Sequence, residues 1–202
     1  MKLYYSPGAC SLSPHIVLRE LGEPVTLVKV DLKTKRTETG ADYLAINGKG
    51  YVPALELDDG QVLTEGPAIV QYLADRKPEA GLAPAGGTME RYRLQEWLNF
   101  ISTELHKQFS PLFAPDTPDA VKQAQQQRLA NRFDWLSKQL EGKNWLLGAR
   151  FSVADAYLFI VLNWCRFFGI ELAKWPVLAQ YQARVAARPA VQEALRAEGL
   201  LK

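Results

Sequence analysis

The sequence predicts an α/β unit followed by an all-helical unit, and three observations support this fold class. Strand and helix signals alternate along the first part of the chain. A stretch rich in proline, glycine and alanine follows, at about 77–87. Beyond it, strand signals disappear and apolar residues recur at helical spacing. The predicted domains are therefore 1–80 and 88–202, joined by a linker at about 77–87.

The first elements predict a βαβ unit. Lys2–Tyr5 has a strand pattern, and the helix pattern from Ser13 to Leu21 carries Pro14, which a first helical turn tolerates. Gly22 ends this helix. The β-branched run from Val25 to Val30 predicts the second strand. A helical crossover between two strands favours parallel pairing.

The next elements predict a ββα unit after a less regular stretch. Val52–Asp58 is an extended run, Asp59-Gly60 is a hairpin turn signal, and Gln61–Leu63 returns antiparallel. A helix follows from about Glu65 to Arg76, because its apolar residues recur on one side.

Helical periodicity covers the second part of the chain. The predicted helices lie at about 88–112, 118–141, 153–168, 175–187 and 189–196. Ser152 and Asp155 open the third of them in the manner of a capping box, with Asp where Glu or Gln is usual. Asp155 is therefore interpreted as structural rather than catalytic.

Composition and charge argue against several classes of protein. The 202 residues are 48% hydrophobic and 23% charged, with a net charge of +2, as in an ordinary globular protein. So small a charge predicts neither a nucleic-acid partner nor a membrane partner. We see no signal-peptide pattern and no apolar run of membrane-spanning length, so the sequence predicts a cytoplasmic location.

The cysteines and histidines favour a reducing compartment and no metal site. Cys10 and Cys165 lie far apart in sequence, which argues against a disulfide framework. His15 and His106 have no metal-ligand spacing with these cysteines. A Cys–His pair also suggests a papain-like nucleophile and base, but the local cysteine signature of those proteases is absent.

Cys10 is the most informative residue of the sequence. It lies between the first predicted strand and the start of the first predicted helix. A thiol at the positive end of a helix ionises more readily, and the thiolate is the reactive form. A lone cysteine is also often a small buried apolar residue. The position alone leaves both interpretations open.

Polar residues recur along one side of the predicted helix at 88–112. Asn99, Thr103 and His106 are spaced by four and three and form a narrow stripe opposite the apolar side. This stripe is either a solvated face or the polar wall of a cleft that brings His106 toward Cys10.

Val52-Pro53 and Glu65 are further candidate features. Proline is allowed at a strand start, where a trans bond needs no function. A cis bond would turn the main-chain groups of Val52 toward an extended, peptide-like ligand. Glu65 opens the third predicted helix, where an acid favours the helix dipole or binds an ammonium group.

Six segments, in this order and spacing, resemble the cytosolic glutathione transferases and specifically their bacterial beta class. They are Met1–Ser11, Tyr51–Leu55, Leu63–Gly66, Glu96–Asn99, Glu104–Lys107 and Phe151–Phe159. The resemblance covers essentially the whole chain. It implies a thioredoxin-like α/β N-terminal domain, an all-α C-terminal domain and a homodimer.

The resemblance also implies the residues of the site. The implied catalytic residues are Cys10, beside the glutathione sulfur, and His106. The implied glutathione-binding residues are Lys35, Val52, Pro53, Glu65, Gly66, Asn99, Thr103, Glu104 and His106. The implied site residues of the helical domain would contact glutathione together with those of the N-terminal domain. Glu104 would reach across the dimer.

The implied site residues of the N-terminal domain would each bind a different part of glutathione. Lys35 would approach the glycyl carboxylate. Val52, before a cis Pro53, would hold the cysteinyl main chain. Glu65 would bind the γ-glutamyl end by charge and Gly66 by its N–H.

The implied activity is conjugation of glutathione, as co-substrate, to a hydrophobic electrophilic small molecule. Cys10 adds thiol–disulfide exchange or reductive dehalogenation, with a second glutathione as the resolving thiol. Five apolar side chains either line a cleft for the electrophile or belong to the core. They are Phe109, Leu112, Phe113, Phe167 and Phe168. The alternative is a noncatalytic ligand- or partner-binding protein with the same fold.

Two positions depart from the family pattern. Gly66 stands where serine is common, so a hydroxyl contact to the ligand carboxylate is lost. Asn47-Gly48 stands where Asn-Pro is frequent, so we expect a more mobile loop before Tyr51. Tyr5, which resembles a catalytic tyrosine of other classes, is interpreted as an ordinary strand aromatic.

Overall fold

The chain forms two compact units in a computed structural model that describes residues 1–201. The first unit contains Met1–Ala83 together with the segment from Ala187 onward, and the second contains Pro84–Ala186. The predicted domain ranges divide the chain differently, since they group this last segment with the helices. Those ranges stay a prediction.

The first unit is built on a five-stranded mixed sheet. Its strands are β1 (Lys2–Tyr5), β2 (Thr26–Asp31), β3 (Arg36–Thr37), β4 (Ala54–Glu56) and β5 (Val62–Thr64). Their order in the sheet is β3-β2-β1-β4-β5. β1 and β2 are parallel, with Tyr4 opposite Val28, and the other pairs are antiparallel. The predicted parallel pairing and hairpin are confirmed.

Three helices connect these strands or follow them. They are α1 (Leu12–Leu21), α2 (Tyr43–Ile46) and α3 (Gly66–Arg76). Gly22 ends α1 in the left-handed conformation at φ 63°, and its N–H bonds to carbonyls of the last helical turn. β3 and α2 lie in the stretch that the sequence leaves without a predicted element. Asp42 caps α2 by accepting the Leu44 N–H at 3.0 Å.

The second unit is helical, as predicted. Its α-helices are α4 (Met89–Phe100), α5 (Lys107–Phe113), α6 (Asp119–Leu140), α7 (Val153–Asn163) and α8 (Pro176–Ala186). Short 3₁₀ turns lie at Trp164–Phe168 and Leu172–Lys174. Within residues 1–201, no helix has the length and apolar character needed to cross a membrane.

The helix predicted at about 88–112 is helical from Met89 to Phe113, but it is not α-helical throughout. A π-helical turn, Ile101–His106, separates α4 from α5. Its i→i+5 bonding changes the angular spacing of side chains, so a stripe counted at 100° per residue does not hold across it. Pro111 lies inside α5 and offers no N–H to the helix.

Asp155 fixes the start of α7. Its carboxylate accepts the Ser152 N–H (2.8 Å), the Ser152 hydroxyl (2.9 Å), the Leu146 N–H (2.9 Å) and the Tyr181 hydroxyl (2.8 Å). Burial raises the pKa of Asp155, and these four hydrogen bonds oppose the rise. The predicted capping box and the structural role of Asp155 are confirmed.

The C-terminal segment returns to the first unit. Its helix, α9 (Pro189–Ala197), packs against α1 and buries Val191 and Ala194. Arg188 binds Glu20 of α1 through two hydrogen bonds, at 2.6 and 2.8 Å. The first unit is therefore assembled from both ends of the described chain.

Candidate functional site

The loop between β1 and α1 holds Cys10 two residues before the helix. Ser11 closes this loop, since its hydroxyl accepts the Ser6 N–H at 3.2 Å and donates to the Ser6 carbonyl at 3.3 Å. Cys10 is half-buried, and its thiol donates to the Val52 carbonyl at 3.2 Å. The structure thus brings two of the predicted site residues together.

A buried pair supports this loop from the C-terminal segment. The side chains of His15 and Glu198 have 0% exposure, and His15 Nδ1 lies 2.9 Å from Glu198 Oε1. The other carboxylate oxygen accepts the Gly8 N–H at 3.0 Å. Arg19 donates to His15 Nε2 at 3.3 Å, which assigns the ring proton to Nδ1. Sequence analysis missed this pair because 183 positions separate its members.

The segment before β4 presents the Val52 main chain. The Val52-Pro53 bond is cis. The carbonyl of Tyr51 accepts the Tyr43 hydroxyl and the Asn47 side-chain amide, each at 2.7 Å. In the part of the chain that the structure describes, the Val52 N–H donates to no protein group. An extended backbone group of this kind suits a peptide-like ligand.

Lys35 lies beside the loop that precedes Val52. Its ammonium donates to the Gly50 carbonyl at 2.9 Å and lies 5.9 Å from the centre of the Tyr51 ring. Lys35 itself has a φ of 57°, in the left-handed region. The lysine predicted for the glycyl carboxylate is thus held beside the segment that leads to Val52.

Glu65 and Gly66 form the turn from β5 into α3. Glu65 has a φ of 71°, and its side chain caps nothing. A Cβ on Gly66 would lie 3.9 Å from Pro53 Cγ, so Gly66 packs beside the cis proline. The Glu65 carboxylate is bound by Lys49 at 2.5 Å, and the same ammonium donates to Thr64 Oγ1 at 2.8 Å.

Lys49, which binds Glu65 and Thr64, is a charged residue that sequence analysis missed. The available signal was its place in the Asn47–Gly50 loop, directly before the Val52 segment. Its partner Glu65 lies 16 residues further along, so no local pattern joins the two.

In the second unit, Asn99, Thr103 and Glu104 lie around the junction of α4 with the π-turn. Thr103 is exposed and its hydroxyl donates to the Asn99 carbonyl at 3.1 Å. Glu104 accepts from Arg132 of α6 at 2.6 Å. Glu104 lines a cavity of about 290 Å³. The other lining residues are Gln108, Arg128, Asn131 and Arg132.

His106 belongs to an aromatic cluster of the second unit. Its Nδ1 lies 2.6 Å from the Tyr157 hydroxyl, and its ring meets Trp164 edge-on with centroids 4.8 Å apart. The Phe113 ring lies against Trp164 and Phe168, with centroids 5.5 and 4.8 Å away. His106 is therefore held in place by a hydrogen bond and by edge-on contacts with aromatic rings.

The five apolar side chains singled out in the sequence separate into two groups. Phe109 and Leu112 belong to the core, at 0% and 6% exposure. Phe113 and Phe167 are half exposed, and Phe168 is partly buried. Phe113 contacts Trp164, which contacts His106, and Phe168 contacts Phe113.

Of the two cysteines, only Cys10 has the exposure that chemistry requires. Cys165 is 1% exposed, and burial raises its pKa to about 12. Among residues 1–201, no three or more His, Cys, Asp or Glu side chains are grouped so that they could hold a metal ion.

Comparison with known proteins identifies the family. Residues 8–76 match the family model described as Glutathione S-transferase, N-terminal domain, and residues 100–189 match the C-terminal domain model. The chain is also 52% identical to Glutathione S-transferase GstA of Escherichia coli O157:H7, over 99% of this chain and 100% of that protein. The chain belongs to the glutathione S-transferase family.

Solved glutathione S-transferases share its structure closely. A sphingomonad glutathione S-transferase complexed with glutathione superposes with a TM-score of 0.96 at 52% identity, over 99% of this chain and 100% of the other. The bacterial beta class glutathione S-transferase of Sphingomonas chungbukensis superposes with a TM-score of 0.97, also at 52% identity, over the whole of both chains. The resemblance to the beta class is confirmed.

These likenesses decide the general function. The chain is a glutathione transferase with a thioredoxin-like α/β part and a helical part, and glutathione is its co-substrate. The alternative of a noncatalytic binding protein is not favoured, because relatives of this similarity are named as transferases.

Proposed function

We propose that this glutathione S-transferase joins the sulfur of glutathione to a hydrophobic electrophile, with Cys10 and Val52 at the centre of the site. The observation that carries the proposal is the 3.2 Å contact of the Cys10 thiol with the Val52 carbonyl. A tripeptide that pairs its cysteinyl main chain with Val52 would bring its own sulfur beside Cys10.

The charged ends of glutathione fit charged groups on either side of Val52. We assign the glycyl carboxylate to Lys35, the γ-glutamyl ammonium to Glu65 and the γ-glutamyl carboxylate to the Gly66 N–H. Lys35 and Glu65 bond to protein groups in the structure, namely the Gly50 carbonyl and Lys49. Charged ligand groups are suitable replacements for these partners.

The positive end of α1 assists ionisation of the bound thiol. Cys10 lies two residues before α1, where the positive end of the helix dipole favours a nearby negative charge. The glutathione thiolate attacks the electrophilic carbon and forms a C–S bond, and the leaving group departs with its electron pair. The thiol proton passes to solvent.

The second unit supplies the remaining contacts in this proposal. Asn99, Thr103 and His106 bind glutathione, and Glu104 does so across a homodimer. The aromatic surface formed by Phe113, Trp164 and Phe168 receives the electrophile, since an apolar surface beside a few polar groups is typical of such a pocket.

We also propose that the homodimer forms through α4 and α6. Trp97, Phe100 and Trp135 form an aromatic cluster with ring centroids 4.7 to 5.9 Å apart. Trp135 is 43% exposed. Exposed clustered aromatic rings are typical of protein–protein interfaces. The cavity that Glu104 lines is bounded on one side by three residues of α6.

A cytoplasmic role in detoxification is the setting that we propose. Both cysteines are free, which is common in a reducing compartment.

The Cys10 thiol supports a second reaction, thiol–disulfide exchange. The Cys10 thiolate attacks one sulfur of oxidised glutathione, forms a mixed disulfide and releases one glutathione thiolate. A second glutathione then attacks the mixed disulfide, restores the Cys10 thiol and leaves as oxidised glutathione. In reductive dehalogenation, glutathione first displaces halide from the carbon and forms a thioether. The Cys10 thiolate then attacks the sulfur of this thioether, and the carbon leaves with the electron pair and takes a proton from solvent. A second glutathione resolves the resulting mixed disulfide and leaves as oxidised glutathione.

Mass spectrometry of the intact protein after incubation with oxidised glutathione tests this role of Cys10. We expect a glutathione adduct on the wild type and on Cys165→Ala, and none on Cys10→Ser, whereas conjugation survives in Cys10→Ser. Exchange that persists unchanged in Cys10→Ser would reject the exchange reaction. A wild type that neither binds a glutathione-affinity matrix nor conjugates glutathione would overturn the proposed function.

A further inference from the structure

We propose that Lys49 is a specificity-determining residue that changes partners when glutathione binds. It neutralises Glu65 beforehand, and it binds the γ-glutamyl carboxylate once the ligand ammonium takes its place on Glu65. This inference rests on the glutathione function proposed above and names a side chain that the subsite otherwise lacks.

The contact between Lys49 and Glu65 supplies the first step. Lys49 Nζ lies 2.5 Å from Glu65 Oε1 and 2.8 Å from Thr64 Oγ1. The Lys49 ammonium therefore already occupies the Glu65 carboxylate, to which we assign the ammonium of glutathione. The two cations have the same charge and donor type, so they compete for Glu65.

The composition of the ligand supplies the second step. The γ-glutamyl end carries a carboxylate as well as an ammonium, and Glu65 satisfies only the ammonium. Gly66 offers the carboxylate an N–H and no side chain. A Cβ at Gly66 would make only an ordinary contact, 3.9 Å from Pro53 Cγ, so sterics do not account for the missing hydroxyl. A cation beside Gly66 would compensate for it.

The exposure of the pair supplies the third step. The side chains of Lys49 and Glu65 are 47% and 69% exposed, and exposed ion pairs are weak and readily exchanged. A lysine ammonium is a point charge on a flexible stem, so it can move to a neighbouring anion. Lys35 is already bonded to the Gly50 carbonyl, which leaves Lys49 as the cation next to Glu65.

Binding of three tripeptides to Lys49→Met tests the exchange by calorimetry. They are glutathione, glutaryl-Cys-Gly, which lacks the ammonium, and 4-aminobutyryl-Cys-Gly, which lacks the carboxylate. Loss of a charge-assisted contact should weaken glutathione and glutaryl-Cys-Gly about tenfold. 4-Aminobutyryl-Cys-Gly should bind as well as to the wild type or more tightly, because a competitor for Glu65 is gone.

Two further variants complete the test. Lys29→Met removes the same charge from an exposed strand position of the same unit and should leave all three affinities within about twofold. Gly66→Ser in the Lys49→Met background should restore most of the glutathione affinity, since a hydroxyl then meets the ligand carboxylate.

The outcomes separate this inference from the proposed function. If Lys49→Met weakens all three tripeptides equally, or none of them, the role of Lys49 is wrong although glutathione still binds. If the wild type does not bind glutathione, both proposals are wrong. Thermal melting of each variant shows whether it is folded, and Lys49 is exposed enough that we expect no change.

Discussion

Tyr4 and Glu56 show how burial and a hydrogen bond together make the fold sensitive to pH. The Tyr4 hydroxyl donates to Glu56 at 2.6 Å, and Lys2 donates to the other carboxylate oxygen at 2.7 Å. Burial first, and then the Glu56 contact, raise the pKa of Tyr4 to about 12. Lys2 first, and then Tyr4, lower the pKa of Glu56. The folded protein therefore favours neutral Tyr4.

Replacing Tyr4 by phenylalanine should reduce the loss of stability at high pH. The contribution of neutral Tyr4 is full below its unfolded pKa of 10.0 and is lost as pH rises through about 12. At neutral pH, Tyr4→Phe should lower the free energy of unfolding by about 1 kcal/mol, because the hydrogen bond is gone. Urea denaturation across this pH range measures both effects.

The matched control for Tyr4 is Tyr92→Phe. Tyr92 is 56% exposed, so its loss should leave the pH profile of the wild type unchanged. A Tyr4→Phe profile parallel to that of the wild type would contradict the argument. The wild-type profile also falls because the pKa values of Tyr5, Tyr43 and Tyr181 are raised by burial, so the comparison is between variants.

The contacts of individual site residues were predictable only where a local pattern fixes them. Cys10 and Val52 each stand next to a recognisable strand or helix boundary, and the structure brings them into contact. Lys49 lies in a loop without periodicity, and its bond to Glu65 depends on how two loops approach each other. The buried pair of His15 and Glu198 likewise depends on tertiary packing alone.

At the scale of elements, long segments were predicted and very short ones were missed. Both ends of α1 and of α6 lie within one residue of their predicted positions, because caps and apolar spacing mark these helices. β3 and α2 are too short to show a period, and pairing with β2 and the Asp42 cap define them. The π-turn at Ile101–His106 leaves no signal in residue spacing.

Loss of Glu198 should weaken the attachment of α9 and loosen the Cys10 loop. Glu198→Ala leaves the Gly8 N–H and the His15 Nδ1–H without their buried acceptor. We expect the free energy of unfolding to fall by about 3 kcal/mol. Amide hydrogen exchange at Gly8 should also become faster, since its hydrogen bond is gone.

Glu193→Ala is the control on the same helix. Glu193 is exposed on α9, so its loss should change the free energy of unfolding by no more than about 0.5 kcal/mol. Small and equal losses in the two variants would mean that the buried pair does not support the loop.

At the scale of the whole molecule, the aromatic cluster of α4 and α6 bears on assembly. Trp135→Glu should turn the proposed homodimer into a monomer at micromolar concentration, because it places a charge in the exposed part of the cluster. Sedimentation velocity measures the change. Phe167→Glu, at another exposed aromatic residue of the same unit, should leave the mass unchanged, and a Trp135→Glu protein of wild-type mass would contradict this interface.

The order of units was predictable from composition, but the destination of α9 was not. Its amphipathic pattern predicts a helix at 189–196. Nothing in that pattern says which apolar face covers it. In the structure that face belongs to α1, more than 160 residues earlier, as the Arg188–Glu20 pair shows with its separation of 168.

This return of the chain has a consequence for the order of events on the ribosome. The first unit needs residues from both ends of the described chain, whereas the second is continuous in sequence. A nascent chain emerges N-terminus first, and its domains fold as they are completed. The second unit can therefore be finished first, although most of the first unit has already emerged. Until α9 has emerged from the ribosome, the Cys10 loop lacks its hydrogen bond to Glu198.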